Sequence, residues 1–63
     1  MKDYSRAVRD KLREAGWRFL RHGKGSHEIW VSPTGQKVTV PRKLLIRHTA
    51  NGILKDAGLP KAF

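Results

Sequence analysis

Trp17-Arg18-Phe19-Leu20-Arg21-His22-Gly23-Lys24-Gly25-Ser26-His27-Glu28-Ile29-Trp30-Val31-Ser32 is the stretch that decides how this chain folds. Two segments carrying aromatic and β-branched residues flank a short run of turn formers, which is the pattern of a β-hairpin. The spacing predicts a strand over 17–22, a loop over 23–26 and a second strand over 27–32. Alternation puts Trp17, Phe19 and Arg21 on one side of the first strand, with Arg18, Leu20 and His22 on the other. In the second strand His27, Ile29 and Val31 share one face, while Glu28, Trp30 and Ser32 share the opposite one.

Working outward, Pro33-Thr34-Gly35-Gln36 is a turn by composition. A third strand follows over 37–40, alternating polar and apolar, and Pro41 ends it. Strands joined this tightly form an antiparallel meander. Upstream, residues 5–15 read as a helix, with Ser5 as its N-terminal cap and Gly16 at the C′ position. Tyr4, Val8, Leu12 and Ala15 recur at helical spacing as its apolar face, and Lys2, Arg6, Arg9 and Arg13 form a separate basic stripe. Downstream, Leu44, Leu45 and Ile46 form a compact apolar connector with room for one helical turn. Thr49 then caps a final helix over 50–57, closed by Gly58, with Ala50, Ile53, Leu54 and Ala57 inside an arc of about 100°. The expected architecture is α+β, in the order α-β-β-β-α, as one domain over 1–63. Both helices pack on one face of a three-stranded antiparallel sheet. On that packing Ile29 and Val31 point toward the helices, His27 follows them by parity, and Trp30 faces outward beside Glu28.

The bulk numbers narrow the function. Sixty-three residues form a single small domain, and a chain this size buries only about 60% of its unfolded surface. With no cysteine, disulfides and thiolate zinc sites are excluded. Net charge is +9, from 14 Lys+Arg against 5 Asp+Glu. Such a balance concentrates polyanions around the protein and speeds their capture. No apolar run approaches the roughly 18 residues of a membrane span, and the N-terminus does not open into a signal-peptide core. A soluble, cytoplasmic protein with no membrane partner is expected.

Several chemistries fall away. Two-metal hydrolysis needs clustered carboxylates, but Asp3, Asp10, Glu14, Glu28 and Asp56 are scattered. His22 and His27 flank a glycine loop without a third ligand, so no metal site is expected. Ser26 and His27 are neighbours on extended chain and point to opposite faces, against a serine–histidine pair. Gly23-x-Gly25 is too short for a nucleotide fingerprint and opens a strand rather than a helix, so no small-molecule cofactor is expected either. Acid–base chemistry at His27 survives, because imidazole accepts and returns protons near neutral pH. Cutting RNA this way needs a base for the ribose 2′-hydroxyl and positive charge on the phosphorane. Arg21, Lys24 and the backbone N–H groups of the 23–26 loop, Gly25 and Ser26 among them, can supply the charge. The leaving oxygen also needs a proton, for which Arg21, Lys24 and Lys37 are candidates, and Lys37 is a further candidate for RNA contact. The competing reading of His27 is a structural or surface histidine at a strand end. Arg6, Arg9 and Arg13 are either a phosphate track or a solvated face with local pairing to Asp10. His48 beside Thr49 reads as part of the helix entry.

Gly16-Trp17, then Gly25-Ser26-His27, then Val38-Thr39-Val40-Pro41, then Thr49 ahead of Ile53-Leu54-Lys55-Asp56-Ala57-Gly58-Leu59, resembles the HicA toxin family of bacterial toxin–antitoxin systems. The likeness runs from the first helix nearly to the C-terminus. It departs after Pro41, where Arg42 and Lys43 stand in place of the histidine that many members carry. The resemblance implies a fold similar to double-stranded-RNA-binding domains and an endoribonuclease that cleaves mRNA without a metal. It implies His27 as the catalytic residue and a cognate HicB-type antitoxin that covers the active site. A non-enzymatic RNA-binding module of the same fold is the alternative. A pure interaction domain, using its charge to dock an acidic partner, is a third reading.

Overall fold

A computed structural model describes residues 2–63. Its elements are α1 (Ser5–Glu14), β1 (Arg18–His22), β2 (His27–Val31), β3 (Lys37–Pro41) and α2 (Arg47–Asp56), in the α-β-β-β-α order read from the sequence. The strands form one antiparallel sheet in the order β1-β2-β3. The two helices pack on each other and on β3. Together they bury Val8, Leu12, Trp17, Trp30, Val40, Leu44, Ala50, Ile53, Leu54 and Ala57 against one sheet face. Among the described residues, no helix packs on the opposite face. None of the described helices is long and apolar enough to cross a membrane.

Both helices stop for the same reason. The Trp17 N–H reaches back over Gly16 to the Leu12 carbonyl at 2.9 Å, and the Leu59 N–H reaches over Gly58 to the Leu54 carbonyl at 2.8 Å. These bonds satisfy carbonyls that have no partner within the helix. Trp17 thereby enters the core beside Leu12.

The helix starts differ from the sequence expectation. Ser5 does not cap α1: Tyr4 already has helical angles, φ −89° and ψ −5°, and Ser5 itself is buried. Asp3 takes the capping role, its Oδ1 accepting the N–H of Ser5 at 2.9 Å and that of Leu44 at 3.2 Å. A carboxylate suits the positive end of a helix better than a hydroxyl, and only the folded chain brings Leu44 within its reach. Helix α2 begins at Arg47, so Thr49 lies in its first turn and is not the cap. The 44–46 connector holds no helical turn; Leu44 is buried, whereas Leu45 and Ile46 are exposed. Ala15 is also exposed, which leaves Val8 and Leu12 as the deeply buried apolar side chains of α1.

The sidedness of the hairpin is the larger correction. Trp30 is 2% exposed and belongs to the core; it does not face outward. Its strand partner is Val38, and Glu28 pairs with the fully buried Val40. Glu28 and Trp30 therefore lie on the helix side, while His27, Ile29 and Val31 lie on the open side. Burying the larger indole outweighs burying Ile29 and Val31, which remain half-covered on the open face.

Strand β1 is also irregular. Arg18 pairs with Val31 and Phe19 with Trp30, but the next partner of Ile29 is Arg21, leaving Leu20 as an extra residue. Such a bulge reverses alternation beyond it. Phe19 and His22 consequently share the helix side, their rings 5.1 Å apart. Arg18 and Arg21 share the open side with His27, contrary to simple alternation. The β2–β3 turn is held by the Ser32 hydroxyl, which accepts the N–H groups of Thr34 and Gln36 at 3.2 and 2.9 Å.

Candidate functional site

The loop 23–26 bends tightly enough to hold His27 at the mouth of the hairpin. The Gly23 N–H donates to the His27 carbonyl at 2.8 Å, and the His27 N–H to the Lys24 carbonyl at 3.4 Å. Gly25 has φ +66°, a conformation that costs an L-residue about 1–2 kcal/mol. Gly23 makes a close approach: a Cβ there would stand 3.0 Å from Ile29 Cδ1 and 3.6 Å from His27 Cβ. The loop thus folds closely against Ile29 and His27 on the open face, where an added Cβ would crowd the end of the Ile29 side chain.

His27 is exposed, opposite Pro41 on β3. Arg21 stands opposite Ile29, two residues along the same face. Its Nη1 donates to the His22 carbonyl at 3.4 Å, so the guanidinium stays near the loop. Lys24, Gly25 and Ser26 are all exposed beside it. The Ser26 carbonyl accepts the Arg42 N–H at 3.1 Å, which draws the backbone of Arg42 to the same corner. Sequence reading did not include Arg42. The signal was available in the register, since a residue following Pro41 must lie beside the loop once Pro41 pairs with His27.

The other predicted residues lie elsewhere. Lys37 pairs with Val31 at the far end of the sheet, four residues from His27 along β2 and hence about 13 Å away. Arg6, Arg9 and Arg13 belong to α1, on the other side of the sheet from His27. Arg9 and Arg13 join Phe19, His22, Glu28 and Trp30 around an open cleft of about 340 Å³. There the Arg13 guanidinium lies over the Trp30 ring at 5.0 Å and bonds Asp10 at 3.0 Å. The Trp30 Nε1–H donates to Glu28 Oε1 at 3.0 Å. The predicted basic residues are therefore divided between two faces.

An exposed imidazole, a mobile-proton group, here sits at one corner of an open sheet face with a guanidinium and a glycine loop beside it. Such a corner can accept a proton from a solvent-exposed substrate while the neighbouring cations and N–H groups hold an anion. Among the described residues no three potential metal-ligating side chains gather.

The fold and this corner define a small basic α+β domain with an exposed histidine at the mouth of its first hairpin. The family model described as HicA toxin of bacterial toxin–antitoxin systems matches residues 5–59, and the chain belongs to the HicA toxin family. Membership makes it a toxin-type component that pairs with an antitoxin. No curated protein matches the chain, and no solved structure does.

Proposed function

We propose that this chain is a cytoplasmic endoribonuclease toxin, a single domain over 1–63, that cleaves mRNA with His27 as the proton-transfer residue. The observation that carries the reading is the exposure of His27 on the uncovered sheet face, at the corner where Arg21 and the 23–26 loop meet. Neutral His27 accepts the proton of a ribose 2′-hydroxyl. The freed oxygen forms a bond to the adjacent phosphorus, and the bond from phosphorus to the 5′-oxygen breaks. The leaving 5′-oxygen takes up a proton from water, and a 2′,3′-cyclic phosphate remains on the upstream fragment. Arg21, Lys24 and the backbone of Gly25 and Ser26 offset the charge that builds on the phosphorane. The chain itself supplies the base and the cations for this step, which is proposed to run without a bound metal.

The antitoxin is proposed to be of HicB type and to cover the His27 corner, since a partner seated on the open sheet face would exclude RNA from it. The test uses purified protein, mRNA and EDTA. The parent is expected to leave fragments ending in 2′,3′-cyclic phosphate, and to spare a site whose 2′-hydroxyl has been replaced by hydrogen. Binding without any cleavage by the parent would instead favour a non-enzymatic RNA-binding module.

A further inference from the structure

Phe19 is an aromatic residue on the helix side of the sheet, yet it remains 44% exposed. It is not stacked by its neighbours: the His22 ring meets it at 66° and the Trp30 ring at 77°, both edge contacts. It borders the cleft into which α1 sends Arg9 and Arg13. A bare aromatic ring beside paired guanidinium groups is the combination that holds unpaired nucleotides, because every base offers a π-face and every linkage a phosphate. The β1 bulge creates this grouping. Were Leu20 paired as an ordinary strand residue instead of bulged out, His22 would fall on the open face and the cleft would lose one wall.

We propose that the cleft between α1 and the β1–β2 hairpin is a second RNA subsite. It takes one unpaired nucleotide next to the cleavage point, with the base against Phe19 and the phosphate on Arg9 and Arg13. This rests on the ribonuclease reading, and it places substrate contacts on both sides of the hairpin. His22 and His27 flank the 23–26 loop on opposite faces, so a strand cut at His27 reaches the cleft by passing around the loop. The Arg13 side chain is 58% exposed despite its bond to Asp10 and can turn toward a phosphate. Glu28 is tied by Trp30 at the floor of the cleft. There its carboxylate can accept from amino groups on the base edge, away from the phosphate.

The test is equilibrium binding of a short single-stranded 2′-O-methyl RNA, which cannot be cut. It is measured for the parent, Phe19→Ala, Phe19→Tyr and Arg13→Gln, each shown folded by thermal melting. Phe19→Ala is expected to weaken binding about ten-fold or more at unchanged salt dependence, since stacking is not ionic. Phe19→Tyr should restore it. Arg13→Gln should reduce the slope of log affinity against log salt by about one. Parent-like binding by Phe19→Ala, in a protein that binds and cleaves RNA, overturns the subsite and leaves the ribonuclease reading standing. A parent that binds no RNA overturns both.

Discussion

Replacing Trp30 with alanine tests the sidedness of the hairpin, on which the placement of every candidate residue depends. Trp30 is 2% exposed, its ring is covered by Arg13 and its Nε1–H is bonded to Glu28. An aromatic side chain this size buries about 150–250 Å², worth about 4–6 kcal/mol at 25 cal/mol per Å². Measured aromatic-to-alanine losses in cores are about 3–5 kcal/mol. The lost bond adds little, because half-buried Glu28 can turn to water. A 63-residue domain has about 3–9 kcal/mol in total, so Trp30→Ala should consume most of its stability. Ile29→Ala is the companion variant. Ile29 lies half-covered on the open face, and its truncation should cost about 1 kcal/mol, well below the loss for a fully buried isoleucine. Urea titrations followed by circular dichroism give both values. If Trp30→Ala loses under about 1 kcal/mol while Ile29→Ala loses several, the faces are reversed and His27 points at the helices.

Deleting Leu20 should be tolerated, with stability changed by no more than about 1 kcal/mol, because Leu20 is exposed and unpaired. Collapse of the fold in the deletion variant, seen by amide chemical shifts, would mean the bulge is not what sets the register. Gly25→Ala should cost about 1–2 kcal/mol although nothing lies within 4 Å of the added carbon, since φ there is +66°; thermal melting reads this directly. Asp3→Asn should lower the melting temperature at neutral pH. The N–H and hydroxyl of Ser5, the N–H of Leu44 and nearby Arg9 hold the Asp3 carboxyl below its ordinary range. A group with a depressed folded value stabilises above its unfolded value and loses that contribution as pH falls through the folded one. The gap between parent and Asp3→Asn should therefore be full at pH 7 and shrink through the acidic range. A gap that stays constant from pH 7 to pH 2 contradicts the capping role.

The element order was legible because each signal was local: Gly16 and Gly58 stop helices, and the 33–36 turn separates two strands. The α2 core face, Ala50, Ile53, Leu54 and Ala57, was legible for the same reason. The sidedness of β2 was not, because His27-Glu28-Ile29-Trp30-Val31 has apolar residues on both faces. The neighbouring strand held the answer. Lys37-Val38-Thr39-Val40 has only one apolar face, and its register through the turn puts Val38 opposite Trp30. The bulge at Leu20 left no mark in composition, since Phe19 and Leu20 fit either side. The Asp3 cap depends on Leu44, 41 residues away, which no local pattern reaches. For the site, the histidine and its glycine loop were readable as a group. The division of the arginines between two faces needed the register.

The most direct test is the single-turnover cleavage rate of one RNA by the parent and by His27→Ala, in EDTA and at equal, saturating protein. Loss of a general base costs about 10²- to 10⁴-fold. Since His27 is exposed, the variant should keep the parent's melting temperature while its rate falls by at least a hundred-fold. A His27→Ala protein that cuts at the parent's rate contradicts the assignment of the chemistry to this imidazole.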